Sequence, residues 1–394
     1  MANCITGHEL NLLPLPRSKV KLGVPLPWNV RDAACNLLLS RGHLIDSDRQ
    51  LNELLERGAF VDIEEIKAAS LHIAISNEAP VPKVVNLFGL WERTTKDMFS
   101  LMDKAPHMPH LLDRINDFAQ SLISLIDKDV DIAIYHAVRR DGAKAFYYGY
   151  DHSIHTATLC LLIARNLQWS EAKTMSLFKA ALTMNMPILA LQGKLADQED
   201  PVLDSQRAMI RKHPMVAFDW LVASGVTDPE WLLAVQQHHE RSDASGYPQA
   251  LSVDADIAIA LRVADVFMAK ISFRRLRPAL TVKESERQLL IEDNGGPLSA
   301  SLIKVFGIYP PGDVVKLASG EIAVVMRRSA SAKCPIVAAI TDFNGKPTVK
   351  TIQRDTSQAA YAIVGSVVDK SLVARMPPER IYGYASANNG SGSP

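Results

Sequence analysis

The chain has 394 residues, is 47% hydrophobic, and balances 43 basic against 43 acidic residues for a formal net charge of zero. That length allows two or three domains with at least one sizeable core, and the neutrality argues against a general binder of nucleic acid polymers, which would carry a basic excess. No apolar run approaches the roughly 20 residues that span a bilayer, and the N-terminus lacks the basic, apolar, small-residue order of a secretion signal. The expected compartment is therefore the cytoplasm, with no membrane partner. Cys4, Cys35, Cys160 and Cys334 are scattered, which argues against a disulfide framework and against a cysteine-based zinc site.

Residues 1–80 are expected to form a small α/β accessory module. Val20 to Leu39 is short, apolar and broken by Gly23, Pro25 and Pro27, which reads as strands and turns. Ser47 to Arg57 reads as a helix, with Leu51, Leu54 and Leu55 at helical spacing. Residues 81–130 are expected to be connecting helices, on the periods Val85, Leu87, Phe88, Trp91 and Leu111, Ile115, Phe118, Leu122, Leu125. These helices could pair two copies in a homodimer, and packing within one chain explains them equally well. Residues 131–301 hold nearly all the polar residues of interest. Residues 302–384 read as a small β-rich domain. There Val314–Leu317 and Glu321–Met326 flank Ser319-Gly320, and Asn344-Gly345 joins Ile336–Thr341 to Thr348–Ile352 in a hairpin. The Ser/Gly/Asn-rich tail, 385–394, is expected to be disordered.

Within 131–301, Asp228-Pro229-Glu230 is a helix start, an N-cap carboxylate followed by proline at the first helical position. That helix ends at His238-His239. A second helix begins at Asp204 and carries His213 on the apolar face of Met209 and Ile210. Pro214 is expected to place His213 at a joint between helices. A third helix, Ile257 to Ile271, has the inner face Ile257, Leu261, Ala264, Asp265, Met268, and an aspartate there needs a cation or donors to offset its burial. A fourth, from Asp151 to Gln168, starts with His152 and His155. Any one of these histidines alone reads most simply as a satisfied core or surface residue. Several converging would suit Fe, Mn, Zn or Ni, all of which accept imidazole and carboxylate.

The segment His238-His239-Glu240-Arg241, then Asp243 and Gly246-Tyr247-Pro248, resembles the signature of the HD-GYP variant of the HD phosphohydrolases. His213-Pro214 stands upstream, Val263-Ala264-Asp265-Val266 downstream, and His152-Ser153 resembles the first motif histidine. The resemblance implies a mainly α fold: an HD-superfamily helical bundle, here flanked by small β-rich N-terminal and C-terminal modules. It implies two or three iron or manganese ions and hydrolysis of cyclic di-GMP by metal-activated water. It implies phosphate contacts from Arg274 and Arg277, with Tyr247 beside the ligand, and a loop of Asp243, Gly246, Tyr247 and Pro248 that meets GGDEF-domain proteins. Gly307 to Gly312 with the strands after it resembles a segment that many such proteins carry after the bundle.

The departures fall on the metal site. Met184 stands where the family has its histidine, Asn185 where it has the bridging aspartate, and Ile188 where it has a lysine. Tyr148 replaces an acidic ligand used by some members, and Met268 replaces a second aspartate. Asparagine offers one neutral carbonyl oxygen where aspartate would hold two cations together. No catalytic set is intact. His213, His238 and His239 remain as a three-imidazole set for one metal position, and His152 and Asp265, with Asn185, are left as poor support for the other. The expectation is at most one ion, Fe or Mn with Zn and Ni compatible, or none. The expected function is a non-catalytic cyclic di-GMP signalling protein that acts through nucleotide or a partner. The alternatives are a mononuclear metal-dependent cyclic di-GMP phosphodiesterase and a structural adaptor.

Overall fold

The computed structural model describes residues 11–45, 47–67, 86–105, 107–139, 142–367, 371–374 and 376–382. Val85 and the tail 385–394 lie outside them. The chain forms two compact units, Met1–Val85 and Asn86–Pro394.

The first unit is a four-stranded antiparallel sheet of β1 (Leu12–Pro14), β2 (Val30–Arg31), β3 (Leu37–Leu39) and β4 (Phe60–Asp62), in the order β1-β4-β2-β3. Helix α1 (Asp48–Glu56) is capped by Ser47, whose hydroxyl accepts from Gln50 N. It buries Leu51 beside Trp28, Val30, Ile45 and Val61, with Leu54 and Leu55 packed around them. The window 20–39 contains only two short strands. These two pair with each other, and β2 pairs also with β4, which lies outside the window with β1 on its far side, because sheet pairing is decided across the chain and not within a local pattern. Cys35 is disulfide-bonded, a bond that the scattered spacing gave no reason to expect. Cys160 and Cys334 are free.

The second unit is mainly helical. Helices α2 (Leu87–Met102) and α3 (Leu111–Lys128) lead into α4 (Val130–Val138), α5 (Tyr148–Asn166), α6 (Glu171–Thr183) and α7 (Leu189–Asp197). Then follow α8 (Asp204–Ala223), α9 (Pro229–Gln237), α10 (Asp256–Ile271), α11 (Val282–Glu292) and α12 (Pro297–Phe306). The apolar stripes of α2 and α3 enter the unit's own core through Phe88, Trp91, Ile115 and Leu122. Helix α5 is buried on every face, which marks it as the axis of the bundle. The helical run 171–197 is long and apolar enough to cross a bilayer, contrary to the expectation that no run approaches that length, and 78% of its apolar 18-residue window is buried inside the fold.

A five-stranded antiparallel sheet follows: β5 (Val314–Leu317), β6 (Ile322–Arg327), β7 (Ile336–Thr341), β8 (Pro347–Asp355) and β9 (Ile363–Ser366), in the order β8-β7-β6-β5-β9. Alternation along its strands divides the two faces. Val314, Val324, Met326, Ala338 and Ile340 join the helical core, whereas Val315, Leu317, Ala323, Val325 and Val337 form a second cluster with Tyr309 and Tyr361. The hairpin at Asn344-Gly345 is present. Gly345 has φ 77, and Asp342 accepts from Asn344 N and Lys346 N at 2.9 Å each.

A further expectation fails at Pro214. Helix α8 runs unbroken from Asp204 to Ala223 with Pro214 inside it, so His213 does not sit at a joint. The local bias against helical geometry before proline gives way to a buried face on both sides of it, with His213, Pro214, Ala217 and Leu221 all packed inward.

Two buried bonds hold α9 against α6. The Ser176 hydroxyl donates to the Asp228 carboxylate at 2.6 Å, and the Trp231 indole N–H donates to Thr183 Oγ1 at 2.9 Å. Thr183→Val keeps the shape and removes the acceptor, leaving a buried N–H without a partner. Urea unfolding should show a loss of about 1–3 kcal/mol with an unchanged slope. An unchanged midpoint would mean that the indole finds another acceptor.

Candidate metal centre

Helices α8 and α9 bring three imidazoles to one point. The ligand-capable nitrogens of His213, His238 and His239 all lie within 4.8 Å of one another. His213 points inward from the middle of α8, His238 is the C-cap of α9, and His239 follows it. Asp228 fixes where α9 begins by accepting from Glu230 N and Trp231 N at 3.1 Å each, and so fixes where it delivers the histidine pair.

The ring orientations are specific. His213 Nδ1 lies 2.6 Å from Ile210 O, and His238 Nδ1 lies 2.7 Å from Val235 O. A carbonyl can only accept, so each Nδ1 carries the proton and each Nε2 carries a lone pair. Those two Nε2 atoms face each other at 3.0 Å. Two lone pairs at that distance repel unless a cation lies between or beside them. Burial opposes a proton there: it draws His213 down to about 3, helped by His238, and lowers His238 as well. His239 is also held well below its usual value, by burial and then by His238. Three neutral imidazoles with converging lone pairs fit one divalent metal ion.

His152 on α5 and Asp265 on α10 form the other half. His152 Nε2 is 2.6 Å from Asp265 Oδ1, and both residues are buried. Burial pushes the Asp265 carboxyl up, but the bond from His152 and the nearby imidazoles outweigh it and hold it below the usual carboxylate range. The carboxylate accepts, so His152 Nε2 carries the proton here. Tyr148 stacks on His152 with ring centroids 5.9 Å apart and planes 8° from parallel. Its hydroxyl accepts from Arg274 Nε at 2.9 Å, and the Arg274 guanidinium lies 5.0 Å from the ring centroid. Arg277 donates to Ala269 O and closes a tight backbone bridge with Arg274. Asn185 lies at the end of α6, 2% exposed, with its Nδ2 lacking a partner among the described residues. Met184 and Ile188 are buried in the apolar core.

The loop after the histidine pair folds back onto it. Tyr247 N donates to His239 O at 3.2 Å, and the Tyr247 ring stacks on His239 at 4.5 Å. A Cβ at Gly246 would meet His239 O and Glu240 Cα at 2.5 Å, so only glycine allows this approach. The Tyr247–Pro248 peptide is cis. Asp243 shapes the exposed turn by accepting from Ser245 N and Oγ.

Two contributors were not singled out from sequence. Glu240 is buried and accepts from Gln249 N at 2.7 Å and Leu251 N at 3.0 Å, clasping both strands of the loop. Arg211 places its guanidinium 5.6 Å from the Tyr247 ring centroid. The charged Glu240 directly after the histidine pair was a usable signal. The Arg211 contact depends on folding alone.

Residues 121–292 match the HD domain family. This stretch is an HD domain. Its segments His238 to Pro248 resemble the HD-GYP signature. The cyclic di-GMP phosphodiesterase PA4108 of Pseudomonas aeruginosa is 26% identical over 216 residues, 50% of this chain and 52% of that protein. The cyclic di-GMP phosphodiesterase response regulator RpfG of Xanthomonas campestris is 30% identical over 125 residues, 31% of this chain and 33% of that protein. The chain thus spans about half, or less, of the curated relatives it matches. Among solved structures, the HDG"Y"P protein Bd1817 of Bdellovibrio bacteriovorus aligns over 75% of this chain and 99% of its own, at 16% identity and TM-score 0.46.

Protonation works against this HD domain in acid. His213 has a folded value of about 3, below the 6.5 of an unhindered imidazole. The unfolded chain therefore binds the proton more readily between those values. Stability is full above about pH 6.5 and is lost as pH falls toward 3, by up to about 1.4 kcal/mol per pH unit for this residue. Urea melts of metal-free protein at pH 7, 6 and 5 should show the decline, and His213→Gln should flatten it.

Proposed function

We propose that this HD domain is a cyclic di-GMP signalling module that binds the nucleotide without efficient hydrolysis. Its relatives by sequence are named as cyclic di-GMP phosphodiesterases. The observation that carries the non-catalytic part is the asymmetry of the site. His213, His238 and His239 offer converging lone pairs, whereas His152 and Asp265 satisfy each other beside Asn185 and Met184. A second cation would have to displace that pair and would gain only a neutral amide and a thioether, which are weak donors for hard metals.

The three histidines would hold one Fe or Mn ion, with Zn and Ni compatible with the same donors. A bound ion supplies positive charge to a phosphodiester and lowers the pKa of water. Arg274, already oriented by Tyr148, offers phosphate a guanidinium, and Arg277 adds a second one nearby. The loop of Asp243, Gly246, Tyr247 and Pro248 is the surface proposed to meet a GGDEF-domain partner, and the cytoplasm is the compartment where such a messenger acts. A second reading, a mononuclear phosphodiesterase, is favoured by the intact three-histidine set.

The test is cyclic di-GMP turnover by the full chain, loaded anaerobically with Fe or Mn, with bound metal counted in the same sample. We expect at most one tightly held ion per chain, nucleotide binding that Arg274→Ala weakens, and turnover no greater than that of His238→Ala. Turnover well above that control puts the enzyme reading first. Neither binding nor turnover leaves a structural adaptor. Restoring the missing pair with Met184→His and Asn185→Asp together should raise the metal count from one to two. A count that stays at one would place the defect elsewhere in the site.

A further inference from the structure

Proline is the least favourable residue inside a helix because it lacks the N–H that bonds the carbonyl four residues back. Pro214 sits in the interior of α8, which continues to Ala223. The carbonyl it leaves without its backbone donor is that of Ile210. Ile210 O is the atom that lies 2.6 Å from His213 Nδ1. His238 achieves the same arrangement differently. Val235 lies in the last turn of α9, where carbonyls have no donor within the helix, and its oxygen lies 2.7 Å from His238 Nδ1. One histidine borrows a carbonyl that a helix end leaves open, and the other borrows one that a proline leaves open.

We propose that Pro214 is a positioning residue that reserves the Ile210 carbonyl for the His213 ring, fixing its tautomer and aiming its Nε2 lone pair at the shared point. With any other residue at 214, a backbone N–H competes for Ile210 O. His213 is then free to carry its proton on Nε2. That proton would donate to His238 Nε2, 3.0 Å away, and convert two metal-ready lone pairs into an ordinary hydrogen bond. The helix gives up one backbone bond at its centre, and the site gains a pre-set ligand.

The consequence for metal rests on the three-histidine reading above, whereas the tautomer does not. The experiment compares the full chain with Pro214→Ala, and with Pro229→Ala as a control, since Pro229 occupies the first helical position of α9, where no donor is needed. Long-range proton–nitrogen NMR of the imidazoles in metal-free protein reads the His213 tautomer, assigned by its absence in His213→Gln. Manganese(II) titration followed by electron paramagnetic resonance reads affinity. Pro214→Ala should move His213 toward the Nε2-protonated form and weaken manganese binding by about tenfold or more, with an equal or higher melting temperature. Pro229→Ala should move neither. An unchanged tautomer and affinity in Pro214→Ala would overturn the proposal. If the wild-type chain takes up no manganese, the three-histidine reading fails and the tautomer comparison alone decides the role of Pro214. If Pro214→Ala does not fold, Pro214→Gly restores the same N–H without a side chain and is read in the same way.

Discussion

The site depends on two imidazole rings whose Nδ1 protons are committed to backbone carbonyls, so that their Nε2 lone pairs meet at 3.0 Å. That geometry is unfavourable by itself. It persists because the rings are fixed by helices, and the helices by bonds remote from the rings. Asp228 sets the start of α9, and Trp231 and Ser176 tie that helix to α6. The energy that holds the lone pairs together therefore comes from ordinary packing and from buried hydrogen bonds, each worth about 1 kcal/mol or more.

The opposite half of the site has the reverse character. There a carboxylate is already offset by a buried imidazole, and a phenol stands over that imidazole. Tyr148, Asn185, Met184 and Met268 bring no negative charge to this half of the site. What remains is the bonded His152–Asp265 pair, with the Asn185 amide nitrogen beside it lacking a partner among the described residues. Tyr148 also takes on a new task, since it orients Arg274 through both its ring and its hydroxyl.

The loop of Gly246, Tyr247 and Pro248 belongs to the same structure. Glu240 holds its return segment, the missing side chain of Gly246 lets it close onto His239, and Tyr247 stacks on that imidazole. A contact made on this loop thus bears on an imidazole of the site through a single stacked ring. Position and rigidity here come from backbone approach and not from surface charge.

Much of this was legible in the sequence, because it is written in local chemistry. The cap at Asp228, the helix ending at His238, the hairpin at Asn344-Gly345 and the apolar face bearing Asp265 all follow from short-range rules of capping, turn preference and periodicity, whereas Met209, expected on the inner face with His213, is exposed. The candidate ligands were named instead by the resemblance of their segments to the HD-GYP signature. Which nitrogen of each histidine faces inward, the pairing of His152 with Asp265, the use of Tyr148 to hold Arg274, and the continuity of α8 through Pro214 could not be read this way. Each depends on groups distant in the chain, or on packing strong enough to override a local preference. Sequence determined which side chains were available to the site. Tertiary structure decided which of their atoms carry protons and which are left to bind, because protonation and ring direction are set by the neighbours that folding supplies.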